Sequence, residues 1–288
     1  TDVLAAMNEG HKDITLAEIN PIILNDVMLG KYREYSGNLY ARPGVKANLA
    51  EGRSFVRNSD EKFDVIQATL VDTWAAAATG TFALSENHLY TVEAFEDYLT
   101  HLTDRGVISM SRWLKVQGME FVRLSALARE ALTRLKVADP TKHVFAAGEG
   151  NVGMLLVKRT PFTDTELRHL HYLCGKRKFF IVYSPRGTHV NPAAIVLGAK
   201  NVKEFYDKFP IDVRPVYDDR PFFFYAVKPE RLLNALLSGA PPAITSFPVV
   251  PLSPLIGLRD APVLRGSLLP PCFARLRDLP CKRASPPI

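Results

Sequence analysis

From Asp13 to Tyr183 short β-branched apolar runs alternate with longer stretches whose apolar residues recur at helical spacing. That alternation constrains the chain to an α/β architecture with strands joined by helical crossovers. The strand-like runs are Asp13 to Ile19, Val45 to Ala50, Phe63 to Thr69, Val107 to Trp113, Val144 to Ala147, Val152 to Lys158 and Phe179 to Tyr183. Helices are expected over 2–8, 21–29, 92–102, 118–137 and 163–173, with Gly106 stopping the third of them. Thr163 with Glu166 three residues on reads as a capping box. Glu51-Gly52-Arg53 reads as a turn, and Gly148-Glu149-Gly150 as the tip of a hairpin rather than a phosphate loop. The sum is an open, mostly parallel sheet that closes with antiparallel strands.

Composition matters chiefly at the C-terminus. Residues 241–288 hold eleven of the 21 prolines, two of the three cysteines, no Glu and no Tyr, and carry +4 of the net charge of +6. Proline at that density blocks helix interiors and sheet ladders alike. The chain therefore divides into a folded body over 1–237 and a proline-rich, basic, disordered tail over 238–288. That tail is either a partner-binding arm or a sequence not selected for a fold, such as read-through. The body alone is close to neutral, which excludes the basic footprint of a nucleic-acid binder. Cys174, Cys272 and Cys281 are too few and too scattered for a disulfide framework or a zinc site, so a reducing, cytoplasmic setting and no metal are expected. No apolar run reaches 18 residues.

In open α/β sheets ligands bind beyond the carboxyl ends of the strands. Glu18 follows the first strand-like run, Glu51-Gly52 the second, and Thr69 through Asp72 the third. Carboxylates at that rim suit a ligand with ribose hydroxyls, an exocyclic amine or a sulfonium centre. A dinucleotide would instead ask for helix N-terminal N–H groups facing its phosphates. Each acid alone is equally compatible with a solvated strand end.

These residues carry a resemblance. Ala17-Glu18-Ile19-Asn20-Pro21, Glu51-Gly52-Arg53-Ser54-Phe55, Phe63-Asp64-Val65-Ile66, Leu89 to Phe95 and Gly106-Val107-Ile108, in this order and spacing over roughly residues 1–230, resemble the spermidine synthase family. The closer resemblance is to bacterial relatives in which this domain is fused to membrane helices. It implies a Rossmann-like methyltransferase fold that takes S-adenosylmethionine or decarboxylated S-adenosylmethionine as co-substrate. It further implies that Glu18 holds the ribose, that Glu51 and Gly52 lie by the nucleoside, and that Asp72 serves an amine-type small-molecule acceptor. Aminopropyl or methyl transfer to that amine is the implied activity, in a homodimer or in the cytoplasmic part of a membrane protein.

The sequence departs from the family at two points. The first Asp of the family's Asp-x-x-Asp arrangement is Thr69 here, which cannot serve as a base near neutral pH, and only Asp72 is kept. The family's first strand and Gly-rich loop have no counterpart, so the sequence is expected to be incomplete at its N-terminus and, as it stands, to bind co-substrate poorly. A non-catalytic nucleoside-sensing or scaffold domain, or an inactive fragment, remains the alternative. Asp218-Asp219-Arg220-Pro221 reads as a turn with an ion pair, and Phe222 to Tyr225 as a buried strand. His169 and His171 point to different helix faces, which argues against a metal pair. Lys176-Arg177-Lys178 reads as a solvated helix end. Trp74 and Trp113 are candidates either for stacking on an adenine or for core packing.

Overall fold

The computed structural model describes residues 2–71, 86–114, 119–187, 190–199 and 201–228, together with 230 and 237. Asp72, Trp74, most of the apolar stretch 232–237 and all of 238–288 lie outside the described residues. Two compact units divide between Gly52 and Arg53.

The first unit opens with α1 (Asp2–Asn8), which ends at Gly10, followed by β1 (Ile14–Glu18). The helix expected over 21–29 forms as a π-helix, Ile22–Lys31, which Gly30 breaks at φ −106°, ψ −118°. The wider winding is visible at its end, where the Tyr32 N–H donates to the Val27 carbonyl five residues back. A short 3-10 turn, Leu39–Ala41, leads into β2 (Val45–Leu49). β1 and β2 pair in parallel as a two-stranded sheet, with Ile14 opposite Val45 and Glu18 opposite Leu49.

Gly52–Arg57 is a helix, α2, and not the expected turn, because the chain after Glu51 winds at once. The second unit contains β3 (Phe63–Thr69), α3 (Val92–Thr100), β4 (Leu102–Trp113), α4 (Met119–Arg134), β5 (Val144–Glu149), β6 (Val152–Val157), α5 (Asp164–Arg177), β7 (Phe180–Tyr183), α6 (Pro192–Gly198) and α7 (Val202–Lys208). Its five strands run in the order β3-β4-β6-β5-β7. β3 and β4 are parallel across the α3 crossover, and every pairing after β4 is antiparallel. Each unit thus pairs two parallel strands across a helical connection, and the second closes with antiparallel strands, the α/β alternation expected and consistent with the Rossmann-like fold that the resemblance implies.

Local chemistry explains several elements. The capping box forms as expected: the Glu166 N–H donates to Thr163 Oγ1 at 3.2 Å, and the Thr163 N–H donates to Glu166 Oε2 at 2.8 Å. β5 and β6 make the expected hairpin, closed by Gly150 at φ +57° and Asn151. Gly106 does not stop α3. That helix ends at His101, and Gly106 lies inside β4, where a Cβ would sit 2.7 Å from the Phe63 carbonyl oxygen. The glycine is needed for close approach of two strands, beside a register irregularity between Phe63 and Val65. β3 is half-buried rather than fully buried, as suits the end strand of a sheet.

α4 is wrapped on most of its circumference. Leu124, Leu127, Ala128 and Ala131 face α3 and the sheet, and Val122 and Ala126 pack with Val196, Ile211 and Val213. Burying a residue such as Phe95 or Leu127 is worth about 1.5–3 kcal/mol. Among the described residues no helix is long and apolar enough to cross a membrane.

Candidate functional site

In the first unit the parallel register puts Glu18 beside Leu49, and the Ala50 N–H donates to the Glu18 carbonyl at 3.1 Å. Glu18 ends β1 and Glu51 lies two residues past the end of β2, so both residues sit at the carboxyl ends of adjacent parallel strands, the rim where α/β sheets take ligands. Glu18 Oε1 accepts the Asn20 N–H at 2.9 Å. Asn20 Oδ1 in turn accepts the N–H of Ile22 at 2.9 Å at the start of the π-helix. This chain of short-range bonds orients the Glu18 carboxylate at a half-buried position. Gly52, also half-buried, begins α2 directly after Glu51.

Sequence reasoning missed Tyr40, on the 3-10 turn between β1 and β2. Burial pushes its phenol up, and the carboxylates of Glu18 and Asp2 push it further, so it stays a neutral hydroxyl beside Glu18. A lone aromatic residue in a loop gives no sequence signal for that placement.

β3, whose exit leads to Asp72, lies in the second unit, and Asp72 itself is outside the described residues. Thr69 ends β3, with its Oγ1 accepting from Gln67 Nε2 at 3.3 Å. Beyond it the Val71 carbonyl accepts from Arg112 Nη2 at 2.7 Å and from the Tyr90 hydroxyl at 3.0 Å. Trp113 is half-buried at the end of β4, opposite Val152.

Arg53, directly after Gly52, is the charged centre of the second unit and was also missed. Its guanidinium is buried and grips Asp218 with two donors, at 2.6 and 2.8 Å, while Nε meets Asp97 Oδ2 at 2.8 Å. Burial alone would lower the Arg53 pKa, and the bonds from Asp218 and Asp97 more than reverse that, holding it above its ordinary value. Thr91, the N-cap of α3, donates its hydroxyl to Asp218 at 2.7 Å.

The Asp218 segment is the expected turn, closed by the Arg220 N–H on the Tyr217 carbonyl, but its ion pair is with distant Arg53. Phe223 and Phe224 are buried yet lie in no strand. The reason is where the backbone bonds go: the guanidinium of fully buried Arg123 takes the carbonyls of Phe223, Asp212 and Arg214, so no neighbouring strand is needed. Burial lowers the Arg123 pKa to about 10.

The remaining candidates take structural places. His171 Nε2 and Ser184 Oγ lie 2.8 Å apart, while His169 faces Tyr172. Lys176, Arg177 and Lys178 are exposed at the end of α5, with Lys178 in the left-handed region at φ 60°. Among the described residues no three His, Cys, Asp or Glu side chains are grouped to hold a metal ion.

No family model matches the chain. No curated protein matches it. Among solved structures it is similar to spermidine synthase from Thermotoga maritima, with 16% identity over 79% of this chain and 61% of that chain and a TM-score of 0.38. It is likewise similar to a spermidine synthase in complex with the transition-state analogue AdoDATO, with 16% identity over 79% of this chain and 60% of that chain and a TM-score of 0.37. The chain spans about three fifths of the length of these solved spermidine synthases.

Proposed function

We propose that the chain is a transferase domain of the spermidine synthase type. It binds S-adenosylmethionine or its decarboxylated form and passes an aminopropyl or methyl group to an amine. The observation that supports this reading is the parallel pairing of β1 and β2, with Glu18 at the end of the first strand and Glu51 two residues past the end of the second. A carboxylate at such a place accepts hydrogen bonds from both hydroxyls of a ribose. Glu18 takes the ribose, and Glu51 and Gly52 flank the nucleoside; the family resemblance assigns the amine acceptor to Asp72.

In the reaction the amine nitrogen attacks the carbon beside the sulfonium. The C–S bond breaks, its electrons neutralise the sulfur, and the new N–C centre loses a proton. Such a step needs alignment and a tuned, desolvated pocket more than acid–base chemistry. A co-substrate of this kind supplies the transferable group, and the residues named here orient it.

Calorimetry on the intact protein with S-adenosylmethionine and with decarboxylated S-adenosylmethionine tests the reading. Saturable binding of one of them, weakened about 100-fold or more in Glu18→Ala, is expected for the loss of a charged hydrogen-bonding group. Equal binding by the two proteins would refute it.

Thr69 favours a second reading. The resemblance expects a carboxylate base at its position, and its hydroxyl accepts from Gln67 Nε2 at 3.3 Å. A nucleoside-sensing or scaffold domain of a membrane-fused protein has no need of that base. Binding of the nucleoside without turnover of putrescine, spermidine or other amines separates this reading from the first.

A further inference from the structure

α5 turns one side to the core, with Leu167, Leu170 and Cys174 buried there. On its other side Arg168, Tyr172 and Lys176 follow one another at four-residue spacing, so they lie along one outer stripe. All three are exposed, and Tyr172 keeps 61% of its surface in solvent. The His169 ring is tilted 33° to the Tyr172 ring, with centroids 6.5 Å apart. Arg177 and Lys178 add two exposed cations at the helix end. From Arg168 to Lys178 the cations cover roughly 15 Å of helix.

Other exposed cations of the chain are paired: Lys208 with Glu204 at 2.6 Å, Arg134 with Glu93 at 2.7 Å and with Glu96 at 3.0 Å. Those of α5 are not. Among the described residues the Arg168 guanidinium bonds only to Thr165 Oγ1, one turn back, at 3.0 Å. Lys176, Arg177 and Lys178 make no ion pair among the described residues. The acids of the helix stand elsewhere: Asp164 opens its first turn, and Glu166 is taken by Lys158 at 2.6 Å. The helix dipole accounts for the cations of the last turn. It does not account for Arg168 two turns earlier, or for the exposed tyrosine between them. A convex line of unpaired cations around an amphipathic ring is complementary to an anionic bilayer. That surface is planar, attracts each Lys or Arg close to it, and takes tyrosine rings at the level of its headgroups. A single-stranded nucleic acid asks instead for a groove that tracks its backbone and for successive stacking platforms. α5 offers one aromatic pair on an open ridge.

We propose that the outer face of α5 is a docking surface for an anionic lipid bilayer, with Arg168, Lys176, Arg177 and Lys178 on the headgroup phosphates and Tyr172 among the headgroups. The inference is independent of the transfer reaction proposed above.

Co-sedimentation of the full chain with vesicles of phosphatidylcholine, alone or with about one third phosphatidylglycerol, tests it. Binding to the anionic vesicles only is expected, falling steeply as salt rises from about 0.05 to about 0.5 M. A triple variant, Lys176→Gln with Arg177→Gln and Lys178→Gln, should bind them about 100-fold more weakly, at about fivefold per cation. A second variant, Arg168→Gln with Tyr172→Ala, leaves the helix end intact and should lose about tenfold. It decides should the triple variant fail to fold. Residues 238–288, with their six basic groups, are the same in all these proteins. Equal binding by the parent and the variants therefore overturns the inference. So does the absence of binding to the anionic vesicles, or equal binding to those without phosphatidylglycerol. A single-stranded oligonucleotide held more tightly than the vesicles at equal phosphate concentration, and lost in the triple variant, would assign the face to nucleic acid and overturn it too.

Discussion

Arg53 and Asp218 stand 165 residues apart in the chain and meet in a two-pronged ion pair, Nη1 to Oδ1 at 2.6 Å and Nη2 to Oδ2 at 2.8 Å. Parallel N–H···O bonds of this kind fix orientation as well as distance. The same guanidinium reaches Asp97 on α3, and the same carboxylate accepts the N-cap hydroxyl of Thr91. One charge cluster therefore pins the start of α2, both ends of α3 and the segment before Pro221.

Removing the arginine leaves two carboxylates around an empty, buried position. Arg53→Ala is expected to destabilise the fold by about 3 kcal/mol. Arg53→Lys should cost less, since it keeps the charge and loses the fork. Asp218→Asn should cost only about 1 kcal/mol, because 37% of the Asp218 side chain meets solvent. Urea unfolding midpoints with an unchanged m-value check the order.

Lys158 and Glu166 form a second buried pair at 2.6 Å, with the side chains only 3% and 7% exposed. Glu166 also completes the cap on Thr163, so it serves two partners. Lys158→Met strands the carboxylate and should cost about 3 kcal/mol. Adding Glu166→Gln to it should cost much less than the sum of the two single changes. Additive losses in thermal or urea unfolding would mean that the pair does not couple.

Gly106 admits no side chain where β3 and β4 approach. A Cβ there would meet the Phe63 carbonyl oxygen of β3 at 2.7 Å and, within β4 itself, Leu102 Cβ at 2.9 Å, so the backbone would have to shift to admit it. Gly106→Ala should therefore destabilise by about 1–3 kcal/mol, as overpacking does. Gly10→Ala should cost less, since its added Cβ would meet open space and only its φ of +87° opposes the change.

Acid should weaken the fold in two steps. Burial pushes the imidazoles of His143 and His171 down, the latter with help from Arg186. Their folded-state pKa values lie below the unfolded value of about 6.5. Their contribution is thus intact above that pH and is lost as pH falls toward the folded values. The Arg53 hydrogen bond holds Asp218 below its ordinary range. At Asp212 and Glu166 burial pushes upward, but the bonds from Arg214 and Lys158 win. Stability from these carboxylates is complete above their unfolded pKa of about 4 and fades below it. Glu96, raised by burial, offsets a part of this. Urea midpoints from pH 7.5 to 3 should show both steps, and His171→Gln should shrink the first.

What the sequence made legible was local. β3 falls on Phe63–Thr69, the hairpin closes at Gly150, and the Thr163–Glu166 box forms, because period, turn residues and capping chemistry are written in neighbouring positions. Long-range partners were not legible. Nothing near Arg53 announces Asp218, and nothing near Phe222 announces that Arg123 takes the backbone bonds a strand would have made. Gly106 looked like a helix stop because close strand approach and helix termination call for the same residue. Of the candidate site, Glu18 and Glu51 could be anticipated as strand ends, whereas Tyr40 is influenced by Glu18 only through the fold.

A crystal structure of the intact protein with bound 5′-methylthioadenosine tests the nucleoside site most directly. The expected result is both ribose hydroxyls about 3 Å from the Glu18 carboxylate, with the adenine beside Glu51 and Gly52. A nucleoside seated elsewhere, with Glu18 still turned only to the backbone of Asn20, would contradict it.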